Sequence, residues 1–537
     1  MDCRALAPHQ IPHTTNLIRD YIEDFPRVQH FYGHKPDLAT VEAYARQLEF
    51  PAERRREVAA ILREENVSFG SGPETKTNLE RLENGAVAII SGQQVGLFGG
   101  PAYAFYKALT AIESARELTL RGVEAVPIFW MATEDHDVDE VRHTTWFREG
   151  KLQHLILPPP AEAGRPVGHI ALGPDIEGVL EQVKGSLNGL GGEDLFEILR
   201  SCYTPRDTYG SAFAKLFTKL FSPHGLILLD PLNAKLHAVA VPVLHDALEH
   251  RDALTESLLQ RDKELEKAGY GPQVKVTSKS TLLFAMHDGK REVVSAGNGN
   301  FSFAGKSVPR GEVLARVVAH PEEFSPNALL RPVMQDFLLP TAAYYGGPAE
   351  VAYFAQSEVL YKKLLGRMPV LLPRADYTLV DPKATRILTK YGLQVEDAWQ
   401  GGQVLKKQMY ASNVPKKLAR SFDGSLRQIE KGVEGLDKAI RKVDPTIQGT
   451  IARAEKRIRY QVEKLRSKTG AALDRHDKVV EGHAEFLENL LYPHKGLQSR
   501  DLCFLPFLHR LGGEGLGELR KLACAKNPGQ HYIVSIP

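Results

Sequence analysis

The stretch from Ala86 to Val141 limits what this chain can fold into more than any other part of it. Ala86-Val-Ala-Ile-Ile90 is a short apolar run behind the turn pair Asn84-Gly85, and it reads as a strand buried on both faces. Ser91-Gly-Gln-Gln-Val-Gly-Leu-Phe-Gly-Gly-Pro101 follows, with four glycines in eleven residues. Such a loop lets backbone approach a ligand closely, and Gly100-Pro101 predicts a helix with proline at its first position. From Ala102 to Leu120, Phe105, Ala108, Leu109, Ile112, Ala115 and Leu118 recur at three- and four-residue spacing, which predicts a crossover helix packed on a sheet. Ala125 to Trp130 is the next strand, and Thr133-Glu-Asp-His-Asp-Val-Asp-Glu-Val141 leaves its carboxyl end with five carboxylates and one imidazole. A parallel α/β sheet binds ligands at the carboxyl ends of its strands, where both loops emerge. The glycine loop matches neither G-x-G-x-x-G nor the Walker pattern, so a tight connection with no ligand is the competing reading.

Around this unit the periodicity predicts helices at 14–24, 38–48, 52–65 and 75–82, then strands at 152–157 and 169–172 and helices at 176–187, 195–202 and 209–221. Gly225 to Asp230 returns to the buried-strand pattern, and a long amphipathic stretch from Ala234 to Lys267 leads to a β-rich piece at 274–276, 281–286, 291–294 and 301–303. Gly346-Gly347-Pro348 repeats the Gly-Gly-Pro of residues 99–101, again between a strand and a helix, with a further strand at 369–372. A helix opened that way presents unpaired N–H groups, an anion site in principle. Phe422, Leu426, Ile429, Val433, Leu436, Ile440 and Val443 then alternate in steps of four and three, Asp444-Pro445 breaks the run, and a second arm from Thr446 to Leu491 should fold back through Ile447, Ile451, Ile458, Val462 and Leu465. Arms of more than about 35 Å with such a seam predict a homodimer.

The expected organisation is a helical lead-in and first half of a Rossmann-like core over 1–149, an insertion at 150–222, a core strand and long helix at 223–271 and a β-rich insertion at 272–320. The second half of the core follows at 321–400, an antiparallel coiled-coil hairpin at 401–500 and a terminal segment at 501–537. Lys plus Arg number 68 against 66 Asp plus Glu, a balance that offers no general attraction for nucleic acid or anionic membrane. The four cysteines (Cys3, Cys202, Cys503, Cys524) form no C-x-x-C pair, and with no signal peptide or apolar span legible the expected setting is the reducing cytoplasm, without a structural metal.

Ser91 to Pro101, Thr133 to Val141, Arg331-Pro-Val-Met-Gln335, Gly346-Gly-Pro-Ala-Glu-Val-Ala-Tyr353, the coiled-coil hairpin and Leu491-Tyr-Pro-His-Lys-Gly-Leu-Gln498 together resemble the bacillithiol biosynthesis cysteine-adding enzyme family, over essentially the whole chain. The resemblance implies a Rossmann-type core, a coiled-coil dimer, and a ligase that attaches cysteine to glucosaminyl-malate. Related ligases activate cysteine with ATP, so ATP or another nucleotide, with Mg²⁺ only if a nucleotide is used, is the implied cofactor. Their H-I-G-H signature is replaced here by Gln93-Gln94 and the glycines. A class I aminoacyl-tRNA-synthetase-like enzyme acting on another acceptor, or an inactive coiled-coil scaffold, are the alternatives.

Amide formation needs a group that binds a carboxylate and one that takes a proton from an amine. His136 is the proton acceptor by residue type, its pKa expected to be held up by Glu134, Asp135 and Asp137. Asp137 and Gln94 complete the expected catalytic set. Gln93, Gly99, Gly100, Asp135, Arg331, Gly346 and Gly347 are the expected substrate-binding residues, with Arg331 pairing to the malate carboxylate and the glycine turns cradling an acyl phosphate.

Overall fold

The computed structural model describes residues 2–161, 164–187, 192–297, 299–442, 448–474, 478–523 and 529–537. The chain divides into two compact units: Met1–Trp146, Gln153–Thr378 and Ser499–Val534 form the first, and Phe147–Leu152, Leu379–Gln498 and Ser535–Pro537 the second.

The first unit is built on five strands, β1 (Val87–Gln93), β2 (Ala125–Met131), β3 (Ile227–Leu229), β4 (Thr341–Gly346) and β5 (Val370–Pro373), in the order β3-β2-β1-β4-β5. Every pairing is parallel, with Ile90 opposite both Ile128 and Tyr344. This is a Rossmann-like sheet: the chain moves outward from β1 to β3, returns, and moves outward on the other side, so a topological switch point lies between β1 and β4. The crossover helices are α1 (Tyr103–Leu120) after β1 and α2 (Pro348–Leu364) after β4.

Side chains along β1 alternate between two cores, as the strand's two-residue period requires. Val87 and Ile89 join α1 and the helix Leu38–Gln47 on one face. Ala88 and Ile90 join the helices Ala52–Ser68, Pro73–Glu83, Ala234–Glu249 and α2 on the other. Each fully buried Ile contributes about 1.5–3 kcal/mol.

The β-rich insertion is a five-stranded antiparallel sheet formed by Lys306–Pro309, Asn300–Phe303, Lys290–Gly297, Ser280–His287 and Phe324–Pro326, in that order. Residues 274–276, expected as a strand, are irregular, and 169–172 gives way to the short 3-10 helix Val167–His169. The long amphipathic stretch is two helices, Ala234–Glu249 and Arg251–Lys267, because His250 leaves helical geometry between them. Pro101 does not open α1; the residue before the first turn is Ala102, and Pro101 instead forms a β-bridge with Cys503.

The second unit contains the long helices α3 (Lys416–Ile440) and α4 (Gln448–Leu473) of a coiled coil. Arg459 pairs with Glu430 and Arg466 with Asp423, so seven residues forward on α4 match seven backward on α3 and the arms are antiparallel. Val443, the Asp444-Pro445 break, Thr446 and Ile447 lie outside the described residues, as does Cys524. The second arm does not run unbroken to Leu491: Asp474 caps the N–H of Val480, Lys478 takes a left-handed backbone, and a separate helix Val479–Leu491 begins. Among the described residues no helix is long and apolar enough to cross a membrane.

Candidate active site

A cavity of about 680 Å³ opens at the switch point, lined by the carboxyl ends of β1 and β2 and the start of α2. That volume suits a small molecule. The antiparallel sheet contributes Phe284 and Arg291 to its wall, the helix Arg331–Leu338 contributes Arg331, and the short helix Gln498–Asp501 contributes Arg500.

The centre of the site is a buried lysine on the crossover helix. Lys107, 2% exposed, spends its three donors on the Gly92 carbonyl at 2.7 Å, Gln93 Oε1 at 2.8 Å and Glu350 Oε2 at 2.5 Å. Burial alone would raise the Glu350 carboxyl, but the Lys107 ammonium and the Gly347 N–H outweigh it and hold the group below its usual range. Gln93 in turn donates through Nε2 to Gln94 Oε1 and to the Tyr103 hydroxyl at 3.0 Å, and Gln94 Nε2 lies 3.4 Å from Asp135 Oδ2. Burial pushes the Tyr103 phenol up to about 12, so it stays a hydroxyl. A polar chain thus runs from α1 to the loop after β2. Gly92 has to be glycine, since a Cβ there would stand 2.6 Å from the Trp130 carbonyl.

Past β2, Asp135 folds back so that Oδ1 accepts the N–H of His136 at 2.7 Å and of Asp137 at 3.3 Å. The Arg291 guanidinium lies 3.3 Å from His136 Nδ1. Arginine can only donate, so Nδ1 accepts and the ring N–H is on Nε2. Glu134 does not face His136, as expected, but turns to the buried His237, 3.1 Å away.

Of the expected site residues, Gln93, Gln94, Asp135, His136, Arg331 and Gly347 line the cavity; Asp137, Gly99, Gly100 and Gly346 do not. Asp137 accepts the Glu140 N–H and caps the short helix Val138–Val141. Asp137 Oδ1 is used in that cap, and Asp135 Oδ1 is engaged by two backbone N–H groups. Among the described residues the one group of three or more carboxylates, imidazoles or thiols close enough to hold an ion together is His245, Asp246 and Glu249, none of which lines the cavity. Gly99 is at φ +87° with a virtual Cβ 2.4 Å from the Phe105 ring, so this turn serves packing. Gly346 lets the Glu350 stem approach, its virtual Cβ only 2.9 Å away. The Gly347 N–H, expected to cradle an anion, already donates to Glu350 Oε2 at 2.6 Å. The helix start caps itself with its own carboxylate and leaves no phosphate cradle at that N–H.

Arg331 bonds to Gln335 Oε1 at 3.0 Å and to the Tyr353 and Tyr344 hydroxyls at 3.3 and 3.4 Å, with its guanidinium 5.6 Å from the Trp130 ring centre. It makes no ion pair among the described residues, and neither do the exposed cavity cations Arg500 and Lys275.

Lys107, Glu350, Arg291 and His237 escaped the reading of the sequence. Two signals were there: Lys107 is a lysine set among the apolar positions of the crossover helix, and Gly347-Pro-Ala-Glu350 has capping-box spacing. Arg291 and His237 reach the site from distant elements and left no local signature.

The same architecture recurs in known proteins. Residues 1–375 match the family model described as the N-terminal Rossmann-like domain of bacillithiol biosynthesis BshC, and residues 377–536 match its C-terminal coiled-coil domain. A relative from Koribacter versatilis, named "Putative cysteine ligase BshC", is 41% identical over 512 residues, covering 95% of each chain. Relatives of the same name from Solibacter usitatus (36% over 516 residues, 95% of this chain and 96% of the other) and Chlorobaculum tepidum (31% over 519, 92% and 91%) show the same full-length correspondence. With both domains matched end to end, and with the Rossmann-like sheet and the coiled coil seen directly, the chain belongs to the bacillithiol biosynthesis BshC family.

Proposed function

We propose that the protein is a ligase that joins L-cysteine to glucosaminyl-malate through an amide bond, the step that completes bacillithiol. The names of its relatives support the cysteine-ligase class. The observation that carries the substrate reading is Arg331: a guanidinium in a cavity wall with only neutral partners, beside the Gln93-Gln94-Asp135 chain. A desolvated guanidinium of this kind pairs strongly with a carboxylate, here that of the malate. Gln93 and Gln94 supply amide groups for sugar hydroxyls and Asp135 offers Oδ2; His136, expected as the proton acceptor, has its accepting Nδ1 taken by Arg291 and in this reading donates its Nε2–H to the acyl oxygen.

An amide does not form from a free carboxylate in dilute water, so an activated acyl group is required. ATP or another nucleotide, with Mg²⁺ accompanying it, would supply that activation. Arg500 and Lys275 are the cavity cations suited to its phosphates.

The reading is tested in a strain lacking the gene, complemented with wild type, Arg331→Ala or His136→Ala, by mass spectrometry of thiols and of glucosaminyl-malate. Wild type should restore bacillithiol, and the variants should let glucosaminyl-malate accumulate. Normal bacillithiol in the uncomplemented strain sinks the function; normal bacillithiol with both variants leaves the function and removes the site.

A further inference from the structure

His237 sits on the helix Ala234–Glu249, 2% exposed, behind the cavity wall. Its Nδ1 lies 3.1 Å from the Pro321 carbonyl oxygen. A carbonyl can only accept, so Nδ1 carries a proton. The other ring nitrogen, Nε2, faces Glu134 Oε1 at 3.1 Å. With Nδ1 already a donor, a neutral ring would turn a lone pair toward a carboxylate, and the contact would be repulsive. A shared proton makes it attractive. Burial opposes charge on the ring, and the Glu134 carboxylate overcomes this, leaving the His237 pKa above the usual histidine value.

Glu134 is the half of the pair that lines the cavity, and it is 6% exposed. Beyond the His237 contact, its Oε1 has no hydrogen-bond partner among the described residues. Charged groups nearby do not relieve this. Arg291 uses Nε on Ser325 Oγ at 2.8 Å, one terminal nitrogen on the Pro326 carbonyl at 2.8 Å and the other on His136 Nδ1 at 3.3 Å. Asp230 is bound to the Thr133 hydroxyl and the Leu232 N–H. Among the described residues no lysine or arginine forms an ion pair with Glu134. A buried carboxylate left short of donors costs free energy unless a ligand completes it.

We propose that Glu134 receives a protonated primary amine of the bound substrate, and that His237 is the positioning residue that fixes the Glu134 carboxylate for it. This rests on the amide-ligase reading above, in which both substrates carry such an amine, and it deepens that reading by naming the group that recognises it. His136 is poorly placed for the task, because its accepting nitrogen is taken by Arg291. Two residues of the acidic loop therefore divide the work: His136 offers a donor, Glu134 an acceptor.

The test is equilibrium binding to the full-length protein with matched probes: L-cysteine against 3-mercaptopropionic acid, which lacks the amine, and glucosaminyl-malate against its N-acetylated form. Wild type should prefer the amine-bearing member of at least one pair by about tenfold to a hundredfold, the range for a hydrogen bond to a charged group. The pair showing the preference identifies whose amine Glu134 holds. Glu134→Gln should abolish the preference by weakening only the amine-bearing probe. His237→Ala should do the same, whereas a merely structural histidine would weaken both members of a pair alike. Retention of the preference in Glu134→Gln overturns the inference. Binding without any amine preference in wild type overturns it and leaves the ligase reading standing. Failure of wild type to bind any of the four probes overturns both.

Discussion

Lys107 Nζ stands 2.5 Å from Glu350 Oε2, and this buried contact ties the helix that follows β1 to the helix that follows β4 across the switch point of the sheet. The contact also explains why the second glycine turn is no anion cradle: Glu350 has taken the Gly347 N–H for itself.

Breaking such a pair leaves a buried charge without a partner, which costs about 3–5 kcal/mol. Lys107→Ala and Glu350→Ala should each lower the stability measured by urea unfolding by about that much, and the double substitution should cost less than their sum. Additive losses would show that the two groups do not depend on each other.

The same pair sets a pH dependence. The folded-state pKa of Glu350 lies below its unfolded value, so its contribution is present above the unfolded pKa and is lost as pH falls through the folded one. For His237 the sign is reversed: a raised folded pKa contributes stability below the unfolded pKa, and that is lost as pH rises through the folded value. Unfolding curves from pH 3 to pH 9 should therefore lose their acid-side slope in Glu350→Gln and their slope above neutrality in His237→Gln.

Gly99→Val is expected to disturb folding. The residue is at φ +87°, and its Cβ would fall on the Phe105 and Phe217 rings, the former at 2.4 Å. A β-branched side chain in that conformation is strained before it meets either ring. Melting temperature should fall sharply; an unchanged melting temperature with lost substrate binding would instead return the turn to the site.

The parts of the molecule that could be read in the sequence were those whose signal is local. The apolar runs of β1 and β2, the spacing on α1 and the heptads of α3 each reflect burial imposed by neighbours in the chain, and each element lies where periodicity placed it. The site was legible only in part, because Gln93, Gln94, Asp135 and His136 adjoin two strand ends whereas Lys107, Arg291, His237 and Glu350 come from elements far apart in the chain. The glycine turns misled for a physical reason: glycine marks close approach, and here what approaches is Phe105 at one turn and Glu350 at the other.

Arg331→Lys should raise KM for glucosaminyl-malate by about tenfold to a hundredfold with little change in kcat. An ammonium cannot reproduce the planar fork of donors that a carboxylate meets bidentately. Steady-state kinetics with purified protein decide it. A fall in kcat with unchanged KM would place Arg331 at the reacting carbonyl, away from the malate.

The coiled coil leads to the last expectation. Along α3 and α4, Leu436 is 60% exposed, Leu465 59%, Tyr460 56% and Ile458 40%, although the two arms already pair with each other. Apolar side chains left in water on both arms of one antiparallel hairpin form a seam that a second copy can cover, and heptad-spaced seams of this kind drive helix association. The protein should therefore be a homodimer through this unit. Leu436→Glu combined with Ile440→Glu places two charges in the seam on α3 and should give monomers by light scattering, while the circular dichroism of the Rossmann-like unit is retained. A doubly substituted protein that stays dimeric would move the interface elsewhere.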